Sequence, residues 1–194
     1  PNVQIYKEPE LLNWNNRKIL MMPWRRDAEH ETQTLADFPQ TDIVFCHSEV
    51  KGIYLNAKVK NEHGTDSNVY DKYTRVYSGH IHFRQERGKL LMVGTPYQLT
   101  RSDANNSKGF DLVDLSNMEE SFYENHISPK FLKYNITQLF DITLGTFKSQ
   151  SRRSCDALEH SAMAAFGACI CIGCGLDVLG ARANRRAALL SCTR

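Results

Sequence analysis

Three histidines carry the clearest chemical signal in this sequence: His47, His80 and His82. His80 and His82 stand in "RVYSGHIHFRQ", straight after a run of strand formers. In an extended segment, positions i and i+2 share one face, so both rings are expected to point the same way. Two imidazoles side by side at a strand end either share a metal centre or stand there unliganded, and the motif alone does not choose. His47 adds a third ring, following "DIVFC", and Thr95, Pro96 and Tyr97 follow "LMVG". In layered α/β folds the loops at the C-terminal ends of strands converge on one rim. Three histidines delivered to such a rim by two strands make a cation site as good a reading as unliganded rings.

Other polar residues lie around these motifs. Tyr97 and Gln98 are candidates for contact with a nucleotide or for bracing the histidines from behind. Arg84, with Arg75, Arg87, Lys89 and Arg101, is placed either to meet phosphates or to form a solvated basic face. His63 and His30 read as surface residues, and Phe83 and Trp24 as core or rim packing.

The elements that must position these residues are short and bounded by turns. Strands are expected at 3–6, 18–24, 42–47, 75–82, 89–96, 109–115 and 121–125. Helix formers with acids near the start predict a helix over 26–38, and a second helical piece over 66–73. The apolar runs are continuous rather than alternating, which predicts strands covered on both faces and an α/β layered architecture.

With 194 residues, 41% hydrophobic and 24% charged, the chain has the composition of an ordinary globular protein with one core. A net charge of +2 gives no argument for nucleic acid by itself. No run of 18 apolar residues and no signal peptide is present, so a cytoplasmic protein with no membrane partner is expected. The composition changes sharply near residue 150. The first 150 residues contain four Ala, and 18 Lys and Arg against 19 Asp and Glu. The last 44 contain nine Ala, six Arg, no Lys and five of the six Cys. Cys169, Cys171 and Cys174 have a spacing that thiolate ligands use, but partners for a complete zinc site are poorly spaced. The expected organisation is a domain over 1–136, a linker or the start of a capping region over 137–150, and a compositionally foreign tail over 151–194, non-native or disordered.

Taken in order, "DIVFCHSEVKG", "YSGHIH" and "LMVGTPYQLTRSD…KGFDLVDL" resemble the calcineurin-like metallophosphoesterases. "GTPYQ" after the histidine pair, with "ENHISPKF" downstream, is similar to their DNA-repair nuclease branch, the SbcD-type and T-even phage recombination endonuclease subunits. The resemblance covers about residues 1–136. It implies a layered β-sandwich flanked by helices and two divalent ions, manganese first, with magnesium or iron as alternatives. By position, His47 and His80 would bind one metal and His82 the other. Cys46 stands where the family often has Gly. The family's earlier motifs, which supply the bridging aspartate and the transition-state histidine, do not occur in order here. The resemblance therefore implies an incomplete domain, the C-terminal half, with no complete catalytic set and no turnover by this chain alone. "ENHI" (124–127) lies too far downstream to replace those motifs and reads as part of a terminal strand.

The activity so implied is metal-dependent hydrolysis of DNA phosphodiesters, in a bacterial or phage-infected cell. A nuclease subunit of this kind would act on DNA as a homodimer with a coiled-coil ATPase of SbcC type. The alternatives are a phosphoesterase acting on nucleotides or phosphoproteins, and a non-catalytic half-domain.

Overall fold

The computed structural model describes residues 3–131 and, beyond them, the backbone of two strands at 169–172 and 186–191. A six-stranded mixed sheet forms the centre. Its strands are β1 (Glu10–Trp14), β2 (Arg17–Met22), β3 (Ile43–Cys46), β4 (Arg75–Ser78), β5 (Gln85–Arg87) and β6 (Leu90–Met92), in spatial order β1-β2-β3-β4-β6-β5. β2, β3, β4 and β6 run parallel, and the edge strands β1 and β5 run antiparallel to their neighbours. A smaller sheet contains β7 (Gly109–Asp114) and β8 (Glu119–Glu124), with β10 (Arg186–Ser191) beside β7 and β9 (Cys169–Ile172) outermost.

The continuous apolar runs are explained by cover on both faces. Leu20, Met22, Val44, Cys46, Val76, Leu90 and Met92 point to one side, where they meet Leu35, Tyr70 and Tyr73. Their alternates Ile19, Met21, Ile43, Phe45, Tyr77 and Leu91 point to the other and meet Val113 and Leu115. So one face is closed by a helix and loops, and the other by the smaller sheet. Each fully buried Leu or Ile contributes about 1.5–3 kcal/mol relative to exposure, and these central strands supply most of them. The layered α/β expectation holds at this level.

The crossover from β2 to β3 is α1 (Ala28–Asp37). Asp27 caps it by accepting the Glu29 amide, and Pro39 follows where the helix has to stop. α1 buries Glu31 and Leu35, one turn apart, against the sheet. The piece expected to be helical at 66–73 is a single 3-10 turn, Ser67–Tyr70, capped by Asp66.

Three expectations are corrected. Residues 3–6 pair with nothing as a strand; the edge strand is instead β1, joined to β2 through Asn15 and Asn16, both at positive φ. That two-residue turn has the twist a tight hairpin needs. The strand expected over 75–82 ends at Ser78, so the extended geometry assumed for His80 and His82 does not exist. The "ENHI" stretch leaves the strand after Glu124. β5 was not anticipated; it turns back onto β6 through Gly88 at positive φ. The domain boundaries at 136 and 150 and the 137–150 segment lie outside the described residues, as do the side chains of the Cys169, Cys171 and Cys174 cluster.

Candidate functional site: a histidine rim at the parallel strand ends

Because β2, β3, β4 and β6 are parallel, their C-terminal ends form one rim, and the loops leaving β3, β4 and β6 carry the expected motifs. His47 follows β3 directly. His80 follows β4 after Gly79. Their rings lie edge to face, with centroids 5.3 Å apart and planes at 85°.

The main chain holds this contact. The Gly79 amide donates to the Cys46 carbonyl at 3.0 Å, tying the two strand ends together. The Ile81 amide then donates back to the Gly79 carbonyl at 3.0 Å, closing a three-residue turn around His80 at φ +73°. This is the positive-φ form of the γ-turn, which is rare and strained. Strain of this kind persists only where the surrounding structure enforces it, and it collects at functional sites. Gly79 has its own steric reason. A Cβ there would sit 2.6 Å from His47 Nδ1, so any side chain would displace the ring.

A buried polar cluster braces the same strand ends from the helix side. Glu31 is 3% exposed and accepts the hydroxyls of Ser48, Thr65 (2.8 Å) and Tyr70 (2.7 Å). Ser48 also donates its amide to Ser78 Oγ at 3.0 Å. One carboxyl group on α1 thereby fixes the residue after His47 and, through Ser78, the residue before Gly79. Burial pushes the Cys46 thiol up to about 12, with the nearby Glu31 adding to the effect. Burial likewise raises the Tyr70 phenol well above its ordinary value.

His82 sits differently. Its carbonyl accepts Lys108 Nζ at 2.7 Å, and its Nδ1 is 3.8 Å from Asp103 Oδ2. Gly94 has φ +73°, and a Cβ there would sit 3.1 Å from the His82 carbonyl oxygen and from the Arg84 amide nitrogen, which explains the Gly of "GTPYQ". His47 and His80 are thus brought together. Among the described residues, no three or more His, Cys, Asp or Glu side chains are placed to hold a metal ion. The imidazole pair on its glycine-backed rim suits one part of a cation site, and further donors would have to come from outside the described residues.

The secondary candidates have internal partners. Arg84 donates to Asp111 at 2.5 and 3.3 Å and stacks over Phe122 at 4.4 Å. Burial raises the Asp111 carboxyl above its ordinary value, and Arg84 offsets part of that. Gln98 is buried and accepts the Phe131 amide at 2.5 Å. Tyr97 stands exposed beside it. Arg75 lies at the N-terminal end of β4, away from the rim, gripped by Glu120 and Glu86. Lys89 donates to the Asp71 carbonyl and Arg87 to that of Lys51. His30 and His63 are exposed, as expected, and Phe83 packs on the core. Asn125 of "ENHI" ties the end of β8 to the Pro96 carbonyl, while His126 points outward beside Glu124.

Over 128 residues, 65% of its length, the chain is 30% identical to exonuclease subunit 1 of Enterobacteria phage T4. The match covers 37% of that protein, so the chain spans little more than a third of the curated relative it matches. No family model matches the chain. No helix among the described residues is long and apolar enough to cross a membrane.

Sequence reasoning missed Glu31, Asp103, Lys108 and the reason for Gly79. Two of these had a signal. Glu31 shares a helix face with Leu35, and "TRSD" has the spacing of a capping box ending in Asp103. Lys108 had none, since nothing local distinguishes a buried lysine.

Proposed function

We propose that this chain is the histidine-bearing part of a metal-dependent nuclease subunit of the metallophosphoesterase class, acting on DNA phosphodiesters. The observation that carries the reading is the His47–His80 pair, held edge to face at the ends of adjacent parallel strands by the Gly79 contact and the strained turn. The likeness to a phage exonuclease subunit supports it. In this reading His47, His80 and His82 supply neutral imidazole donors to a pair of divalent ions, manganese first, and carboxylate donors come from elsewhere in the protein. Such ions, when bound, supply Lewis acidity and charge neutralisation at phosphorus. The work of this chain is to hold the donors in place. The partners in this reading are DNA, a second nuclease subunit and a coiled-coil ATPase, in the cytoplasm of a bacterial or phage-infected cell.

The test compares the chain with a version extended by the sequence encoded upstream of Pro1, on plasmid and linear DNA with manganese. The expected result is no cleavage by the chain and manganese-dependent cleavage by the extended protein, abolished by His80→Ala. Turnover by the chain alone, or an extended protein that folds and cuts no DNA, would overturn the proposal.

A further inference from the structure

The proposed function leaves a buried ion pair without a role. Lys108 Nζ and Asp103 Oδ1 are 2.7 Å apart, and each side chain is only 4% exposed. A surface pair of this kind would mean little, but a buried one has to recover a desolvation cost of several kcal/mol per ion through close and complete hydrogen bonding. Asp103 meets that demand. Its Oδ2 accepts the Thr100 amide at 2.9 Å, the Leu99 amide at 3.1 Å and the Thr100 hydroxyl at 3.1 Å. Lys108 gives a second hydrogen bond to the carbonyl of His82. The pair therefore joins the loop after β6 to the segment after β4, at one particular residue.

The same carboxylate faces the ring of that residue, with Asp103 Oδ2 3.8 Å from His82 Nδ1. That distance is beyond a direct hydrogen bond, yet it is short for a buried carboxylate acting on the dipole of a half-buried ring. A bare lone pair on Nδ1 would point at negative charge; a proton there would be attracted. The neutral ring is thus biased toward Nδ1–H, with the Nε2 lone pair turned away from Asp103. Imidazoles that serve as ligands commonly have their tautomer set by a carboxylate behind them in this way.

We propose that Asp103 and Lys108 are positioning residues for His82: Lys108 anchors its main chain, and Asp103 selects the tautomer that leaves Nε2 as the donor. The inference rests on the proposed reading of His82 as a site residue. It assigns a role to residues that touch neither metal nor substrate.

The experiment uses the 194-residue chain labelled with 15N histidine and free of metal, at a pH where the imidazoles are neutral. Long-range 1H–15N correlations report the tautomer of each ring. His82 is expected mainly in the Nδ1–H form, Lys108 and the Leu99 and Thr100 amides offsetting only part of the Asp103 charge, whereas exposed His30 and His63 show no such bias. Asp103→Asn should bring His82 to the behaviour of His30 and His63, and Asp103→Glu should retain most of the bias. A merely structural salt bridge would leave the tautomer unmoved. Wild-type His82 in the Nε2–H form overturns the inference whether or not any variant folds. A separate titration with manganese, read as paramagnetic broadening of the His47 and His80 resonances, tests the metal reading. Bias without broadening keeps the positioning role and removes the metal, and broadening without bias does the reverse.

Discussion

Replacing Glu31 by Ala is expected to destabilise the fold far more than replacing it by Gln, and the size follows from its partners. Ser48, Thr65 and Tyr70 are each no more than 2% exposed, and each gives its hydroxyl to Glu31. A buried hydroxyl stripped of its partner costs about 1–3 kcal/mol. Three of them would cost ~3–9 kcal/mol, reduced because Ala no longer buries a carboxyl group. The net expectation for Glu31→Ala is a loss of about 3–5 kcal/mol, a large share of the 5–15 typical of a domain. Glu31→Gln keeps the volume and one acceptor, and hydroxyls can rotate to accept from its amide, so about 1–2 kcal/mol is expected. Urea denaturation followed by circular dichroism measures both, provided the m-value stays constant. An alanine variant within about 1 kcal/mol of wild type, or a Gln variant as damaged as Ala, would refute the account.

Gly79→Ala should cost about 1–3 kcal/mol through overpacking and displace the His47 ring, seen as large shifts of the His47 and His80 resonances with the rest of the spectrum preserved. His80→Gly relieves the positive φ and should gain up to ~1 kcal/mol while losing the ring; a clear loss of stability would show that the turn is not strained. Cys46, its thiol raised to about 12, should resist alkylation at pH 8 until the chain is unfolded, as peptide mapping would show. Burial raises the Asp103 carboxyl, but Lys108 and the Thr100 amide outweigh it, so the folded value is depressed. Its contribution is present above the unfolded carboxylate value and is lost as pH falls through the folded one. Acid unfolding of Asp103→Asn should therefore be shallower than that of wild type below about pH 4.

The strands that carry the site were legible because their chemistry is local. "KILMM", "DIVFC" and "KLLMV" are apolar without alternation and too short for helices, which fits strands covered on both faces, and each was placed within a few residues. α1 was legible from its acids and its capping Asp27. What escaped was long-range or steric. A γ-turn at 79–81 leaves no propensity signal, since it arises from bonds between β3 and β4. Residues 3–6 looked like a strand by composition, but strand formers need a partner, and β2 was already paired with "ELLNW". Of the site, the closeness of His47 and His80 could be read from the ends of two adjacent strands. Arg84 and Gln98 looked available for substrate because their partners, Asp111 and the Phe131 amide, lie about 30 positions away.

The two borders of the central sheet are unequal. β5 is three residues long and polar, which leaves a stranger's backbone little to bind. β1 is five residues long, with Leu11 and Trp14 substantially exposed. Among the described residues neither border strand has an outer partner; unpaired borders invite further strands, and short charged ones discourage them. Self-association at high concentration would then begin at β1, on the flank opposite β5. A lysine at Leu11 is where a more soluble version of this protein would start.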